Sequence, residues 1–317
     1  MVGDGLFRCP GAYLFGEKAR ILCAGESVER CSTAQFGFLT SAAMFKQREA
    51  IIRLLKDNDP DTVSLTKQQL VQGGSGVIGD LRDLLSTDDQ VVTAHVREML
   101  TEIEIRHAKV AFEEICGRTL DLADLEQACW YLAQIFQPGV DIDSYQKTVD
   151  SWSRELRDRL SLCGSNASRA LAIAQLFGQD LKLRGNEDDY YNARNSLLPC
   201  VMDSKLGIPI SLSLLYMIVG RRASVVIEGI NLPGHFVVRH GDILLDPFHE
   251  GRILTTTDCA QILSQQNRTL HQEHLQTAHP KLILIRMLAN LLYIFQHEQN
   301  DSLHKMITQW IHLLNPA

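Results

Sequence analysis

His235 and Asp246 are the residues of this sequence whose types and spacing point most directly to chemistry. Each lies in an apolar, β-branched run, and the two runs flank His240-Gly241, which favours a two-residue hairpin loop. That loop sets Arg239 opposite Asp242 and His235 opposite Asp246, with opposed Cβ atoms about 4.5–5.5 Å apart. A carboxylate beside an imidazole fixes its tautomer and raises its basicity. The spacing therefore predicts a His–Asp pair, which is either catalytic or a satisfied structural pair.

A hydroxyl nucleophile for this pair is suggested by the helix that precedes the strands. Residues 210–219 are apolar around nearly the whole circumference, so the helix is expected to be buried on all sides. Pro209 fits its first turn, because a missing N–H costs nothing there. Ser211 also lies in that turn, where free N–H groups and the helix dipole stabilise a thiolate or oxyanion. Ser213, on the same helix, is the alternative hydroxyl.

Two further sets of residues could supply other chemistry. Cys200 is the nearest thiol to the helix start, but a free cysteine is usually a small core residue. His235, His240, Asp246 and His249 have the side-chain types of a metal site. However, His240 is expected in the hairpin turn, away from the others, and a site needs convergent ligands. We therefore expect no metal and no cofactor.

The segment before the buried helix has the composition of a loop that covers a cleft. Its candidate binding residues are Asn186, Tyr190, Tyr191 and Asn195. Tyrosine offers flat apolar area with a hydroxyl, as ligand walls often do, and Asn195 is suited to cap the element that follows. The alternative is a packed surface loop without a ligand.

Charge and composition exclude several other classes of protein. The net charge of -7 argues against general nucleic-acid binding. The sequence contains no run of roughly 18 apolar residues and does not open with the pattern of a signal peptide, so the expected location is cytoplasmic, without membrane binding. The eight cysteines include no CxxC pair, which disfavours a zinc ribbon or thioredoxin-type site. Oligomeric state is not indicated.

Changes of pattern along the chain divide it into four predicted regions. Residues 1–42 lack a clear period and are expected to be poorly ordered. Residues 43–107 contain two helical pairs that resemble a short HEAT-like solenoid, with two unrelated hairpins as the alternative. Residues 108–280 form the central domain, and residues 281–317 resemble one tetratricopeptide-like hairpin.

Five motifs occur in order along the central region: Gly185-Asn186-Glu187-Asp188-Asp189-Tyr190-Tyr191, Asn195-Ser196, Gly207-Ile208-Pro209-Ile210-Ser211-Leu212, Leu232-Pro233-Gly234-His235-Phe236 and Asp246-Pro247-Phe248. Together with Ile285-Arg286-Met287-Leu288-Ala289-Asn290-Leu291, they resemble the SirB family of the transglutaminase-like superfamily over roughly residues 108 to 317. The resemblance implies an α+β fold, with a cysteine-protease-type core in which a central helix packs against an antiparallel sheet. Helical regions flank that core on both sides.

The same resemblance bears on function, because active members of the superfamily use a Cys–His–Asp triad. His235 and Asp246 match the histidine and aspartate positions, whereas the nucleophile position falls at or near Ser211, where there is no cysteine. One hypothesis is therefore a non-catalytic, regulatory module that binds a protein or peptide through a degenerate site. The alternative is an acyl-transfer enzyme, a hydrolase or amidase, that uses Ser211, Ser213 or Cys200 with His235 and Asp246.

Overall fold

The computed structural model describes residues 41–265 and 267–315, with side chains from residue 48 onward except that of residue 75. Its helices are α1 (Ser41–Leu55), α2 (Pro60–Gln72), α3 (Ile78–Leu84), α4 (Gln90–Cys116), α5 (Leu122–Phe136), α6 (Ile142–Ser161), α7 (Asn166–Ala174), α8 (Leu198–Ser204), α9 (Pro209–Ala223), α10 (Thr256–Ser264), α11 (Pro280–His297) and α12 (Asp301–Leu314). Its strands are β1 (Arg184–Gly185), β2 (Leu206–Gly207), β3 (Glu228–Ile230), β4 (Val237–His240), β5 (Ile243–Asp246) and β6 (Arg252–Leu254). The prediction for residues 1–42 concerns a segment that lies almost entirely outside the described residues.

The buried helix of the prediction is α9, and every residue from Pro209 to Gly220 is buried. Its neighbours in the core include Phe236, Val238 and Leu245, which come from the segment leading into β4, from β4 and from β5. A helix that is apolar all round must be covered on all sides, and here the sheet and the surrounding helices cover it. The predicted α+β core, with a central helix against an antiparallel sheet and helices on both sides in sequence, is confirmed.

The C-terminal end of α9 is tied to α5 by a buried carboxylate. Glu126 is 3 % exposed and accepts hydrogen bonds from Arg221 and Arg222 of α9 and from the indole N–H of Trp130. The two arginines also lie in the last turn of α9, where positive charge is favourable to the helix dipole. The end of α9 away from Ser211 is thus held by an ion cluster around a buried carboxylate.

The main sheet has the order β3-β4-β5-β6, with every neighbouring pair antiparallel. The predicted hairpin register is wrong by two residues: His240 pairs with Ile243, so Gly241-Asp242 forms the loop. Gly241 has φ +61, and glycine at the first central position is what a type II′ turn requires. The predicted pairing of Arg239 with Asp242 does not form, and Arg239 instead lies opposite Glu228 of β3.

The helices before the central domain enclose a core of their own. Leu55, Val71 and Met99 belong to this smaller cluster, which extends along α4 to Ile103. The main core begins at Ala108 on the same helix. The change from one core to the other thus lies within the continuous helix α4, and the boundary predicted between residues 107 and 108 stays a prediction. The assignment of the N-terminal helices as HEAT-like stays a prediction.

At the C-terminal end, α11 and α12 pack into the main core. Ile283, Trp310 and Leu314 are buried members of it, and the ring centroid of Trp310 lies 4.7 Å from that of Phe112 on α4. The helical pair predicted for this region is present, while its tetratricopeptide-like character stays a prediction. None of the described helices is long and apolar enough to cross a membrane.

Candidate functional site

His235 and Asp246 form a buried hydrogen-bonded pair. The distance from His235 Nε2 to Asp246 Oδ2 is 3.0 Å, and the residues are 8 % and 1 % exposed. Asp246 is the last residue of β5. His235 lies just before β4, at the end of a turn in which its N–H donates to the Leu232 carbonyl at 3.1 Å. The pair forms despite the wrong register because a shift of two residues leaves every side chain on its own face of the sheet.

A second histidine, His249, joins the same carboxylate. Its Nδ1 lies 2.7 Å from Asp246 Oδ2, and the N–H of Phe248 donates to the other oxygen, Oδ1, at 3.1 Å. His249 follows Asp246 by three residues in a short 3₁₀ turn, Pro247–His249. Sequence reasoning considered His249 only in the metal alternative and missed this contact. The three-residue spacing between Asp246 and His249 could have indicated the contact, but only if the strand was known to end in a tight turn.

The protonation of the cluster follows from these contacts. Burial raises the pKa of Asp246, but the hydrogen bonds from His235 and His249 outweigh burial and hold that pKa below its ordinary value. The hydrogen bond to Asp246 raises the pKa of His249 above its ordinary value. Asp246 is therefore a carboxylate at neutral pH, with two imidazoles directed at one of its oxygens.

Ser211 is not brought to His235. Its hydroxyl is fully buried and lies 2.5 Å from the carbonyl oxygen of Asn195 and 3.1 Å from that of Ile208, and it accepts from the Ile208 N–H at 3.2 Å. These contacts close the first turn of α9 in the manner of a capping box, with Ser211 at its third position. The hydroxyl predicted to occupy the nucleophile position is thus engaged with backbone groups.

The alternative nucleophiles make other contacts. Ser213 is fully buried, and its hydroxyl lies 3.4 Å from the carbonyl oxygen of Phe236. Cys200 is buried on α8, and burial raises its pKa, which suppresses the thiolate. Within the described residues, no hydrogen bond joins either side chain to His235.

Two of the predicted cleft residues, Asn186 and Asn195, hold the loop together, and Tyr191 is exposed at the surface. Asn195 donates to the carbonyls of Asp189 and Tyr190 at 2.6 and 3.1 Å and accepts from Asn186 at 2.9 Å. Both asparagines therefore hold the loop in shape and have little capacity left for a ligand. Asn195 was expected to cap the element that follows it, but the N-cap residue of α8 is Leu197, which makes no side-chain capping hydrogen bond.

Aromatic rings connect the His–Asp pair with the surface. Phe248 lies edge-to-face with His235 and with Tyr190, each at 6.1 Å between ring centroids. Tyr191 lies 5.2 Å from Tyr190 and 5.2 Å from Tyr293 of α11. We call these four side chains, Phe248, Tyr190, Tyr191 and Tyr293, the aromatic strip. At its outer end Tyr191 is 63 % exposed and Tyr293 is 45 % exposed.

Arg286 of α11 supports the turn that carries His235, and sequence reasoning missed this role. Its guanidinium donates to the side-chain oxygen of Asn231 and to the Leu232 carbonyl, and it lies over the ring of Phe236. Burial lowers the pKa of Arg286. The contact spans the C-terminal helix and the sheet, so only the tertiary structure reveals it.

The structure thus places a buried His–Asp pair beside an antiparallel hairpin and a buried central helix. Residues 143–289 match the family model described as the transglutaminase-like superfamily. The chain therefore contains a transglutaminase-like superfamily domain, and the matched range includes α9, the sheet and the His–Asp pair.

Curated relatives each match about half of the chain. It is 32% identical over 169 residues to a UPF0162 protein of Xylella fastidiosa (strain Temecula1), covering 50% of this chain and 60% of the relative. It is 38% identical over 172 residues to a UPF0162 protein of Pseudomonas aeruginosa, covering 52% and 62%. It is also 33% identical over 153 residues to F-box only protein 21 of Mus musculus, covering 43% and 23%.

The chain thus spans about 60% of the length of the Xylella relatives that it matches. The comparison with solved structures gave no match.

Proposed function

We propose that this chain is a SirB-type transglutaminase-like protein that acts as a non-catalytic, regulatory module and binds a protein or peptide through a degenerate site. The observation that carries the proposal is the state of Ser211, which is fully buried and whose hydrogen bonds go to backbone groups of Ile208 and Asn195. A nucleophile must lie within hydrogen-bond reach of its base and be open to substrate. Ser211 meets neither condition.

The described thiols support the same conclusion. Five cysteines are described and all are free, and none of them is hydrogen-bonded to His235. Burial raises the pKa of Cys200, and it raises that of Cys116 to about 12. A thiol of this kind is inert, because the thiolate is the reacting form.

The aromatic strip supports binding. Tyrosine is enriched in protein interfaces because it offers rigid apolar area together with a hydroxyl. Tyr191 and Tyr293 expose such area beside each other, and the loop that carries Tyr191 is fixed by Asn195. A preformed surface has little ordering entropy to lose on binding. The similarity to F-box only protein 21 further favours a role in protein interaction.

The binding proposal is tested by selecting linear peptides from a phage-displayed library on the full chain. We expect peptides whose affinity falls at least tenfold, about 1.4 kcal/mol, on Tyr191→Ala, as for an interface hot spot. Leu162→Ala is the matched control, because it removes an apolar side chain that is 89 % exposed and lies outside the strip. Failure to select any peptide, or equal binding by the Tyr191→Ala variant, contradicts the proposal.

The second candidate function is acyl transfer, and the His–Asp distance of 3.0 Å is the observation that favours it. It requires Ser211, Ser213 or Cys200 to reach His235 after a rearrangement. Labelling with fluorophosphonate and iodoacetamide probes, mapped by mass spectrometry, distinguishes the two functions. Modification of one of these residues that is lost in a His235→Ala variant would establish the enzyme and refute the binding-only proposal.

A further inference from the structure

We propose that His235, Asp246 and His249 form a binding site for a divalent transition-metal ion of the Zn²⁺ type. One ligand atom from each residue is available, and the three atoms all lie within 4.8 Å of one another. The two imidazole nitrogens lie 3.0 and 2.7 Å from the same carboxylate oxygen. The sequence disfavoured a metal because convergence was lacking, and the structure supplies that convergence for three of the four residues considered.

The distances fit a small ion after minor side-chain movement. Bonds of about 2.0–2.2 Å from zinc to nitrogen and oxygen place tetrahedral ligand atoms about 3.4 Å apart. The two hydrogen-bonded contacts must therefore lengthen by roughly 0.4–0.7 Å, and the two nitrogens must adjust to a similar separation. Small rotations of His249 accomplish this most easily, since its side chain is 50 % exposed.

The charges and hydrogen bonds also fit. Asp246 is a carboxylate buried to 1 % exposure, and its other oxygen is held by the Phe248 N–H at 3.1 Å, an outer contact of the kind that orients metal ligands. Two neutral imidazoles and one carboxylate are ligands that Zn²⁺ and Fe²⁺ accept in three-ligand sites. The side chain of His249 is 50 % exposed, so one edge of the cluster lies at the surface.

His240 is the residue that the structure removes from the set. Its Nδ1 lies 2.8 Å from the Val226 carbonyl oxygen, and its Nε2 accepts from Arg169 at 3.3 Å, so both ring nitrogens are occupied. It is a buried histidine at the end of β4, next to the Gly241-Asp242 loop. A His240→Gln variant is therefore a matched control for loss of a histidine that does not bind metal.

The experiment is calorimetric titration of ZnCl₂ into the full chain after treatment with a chelator. We expect one site with a dissociation constant in the micromolar range or tighter, weakened at least tenfold by His249→Ala and by Asp246→Asn, and unchanged by His240→Gln. Affinity should fall on acidification, because the ligands must lose their protons. Since His249 is half-exposed, its replacement is expected to leave the fold intact, which circular dichroism checks.

Cobalt titration separates this site from adventitious binding by thiols. A Co²⁺ spectrum without thiolate charge-transfer bands, lost in His249→Ala, supports nitrogen and oxygen ligands. Binding weaker than about 100 µM, or equal binding by the wild type and His249→Ala, overturns the proposal. Metal binding by these three residues does not require a bound peptide. Repeating the peptide measurement with chelator shows whether metal binding and peptide binding are linked.

Discussion

Replacing Ser211 with alanine tests whether the hydroxyl at the start of α9 is structural or reactive. The hydroxyl is fully buried and joins two backbone groups, the Ile208 N–H at 3.2 Å and the Asn195 carbonyl at 2.5 Å. Alanine removes this bridge and offers nothing in its place. Because both backbone groups lose a partner in a region without solvent, the variant should be clearly less stable than the wild type.

The magnitude follows from the cost of buried groups that lack a hydrogen bond. Each such group costs about 1–3 kcal/mol, so the two groups together cost about 2–6 kcal/mol. Local relaxation favours the lower half of that range, and we expect a loss of about 2–4 kcal/mol in the free energy of unfolding. At about 2–4 °C per kcal/mol for a large domain, the melting temperature should fall by at least about 4 °C.

Urea denaturation followed by tryptophan fluorescence measures this loss, and Ser213→Ala is the control. Ser213 lies on the same helix and is equally buried, but the one hydrogen bond that its hydroxyl makes to the described part of the chain, to the Phe236 carbonyl, is long at 3.4 Å. We expect this control to lose no more than about 1 kcal/mol. A Ser211→Ala variant as stable as the wild type would refute the structural role and restore Ser211 as a candidate nucleophile.

Three further predictions concern the rest of the domain. Glu126→Ala removes the buried carboxylate but leaves arginine side chains that are 38 % and 19 % exposed, so urea denaturation should show a loss of about 1–3 kcal/mol; a loss below about 1 kcal/mol would mean that the cluster is well hydrated. Gly178→Ala places a Cβ 2.0 Å from the Glu250 carbonyl oxygen and should cost at least about 2 kcal/mol, whereas Gly164→Ala, with open space around it, should be nearly neutral. His249 should titrate by NMR above its ordinary value of 6.5, because its hydrogen bond to the buried carboxylate favours the imidazolium. Because folding raises the pKa of His249, the stability that its protonation contributes is complete below pH 6.5 and is lost as pH rises through the pKa of the folded state. An NMR titration midpoint at or below pH 6.5 would contradict this.

Patterns with a strong local cause were predictable from the sequence. The run after Pro209 is apolar on every side, so a buried helix was the only arrangement that hides it, and α9 has that place. The strand runs were equally clear from their β-branched residues. The pairing of His235 with Asp246 was predicted even though the register was wrong, because the face of a strand depends on parity and survives a shift of two residues.

Features that depend on separate segments were not predictable. The partner of Arg239 was misassigned because Asp242 and Glu228 are both acidic, and only strand order selects the latter. The environment of Ser211 depends on the Asn195 carbonyl, which a loop before α8 brings to the helix start. Periodicity and spacing carry no information about such contacts. They also could not indicate that Arg286 binds the turn before His235.

Among the described residues, no serine or cysteine is hydrogen-bonded to His235, yet the His–Asp pair is present, and this has a structural explanation. Asp246 is almost fully buried and receives three hydrogen bonds, from His235, His249 and the Phe248 N–H. Removing one donor from a buried charge costs more than an ordinary hydrogen bond, because the desolvation of the carboxylate is then poorly compensated. His235 is therefore needed to keep this charge in the core whether or not any chemistry occurs. For that reason the presence of the pair alone does not establish catalysis, and the state of Ser211 is the better guide to what the site can do.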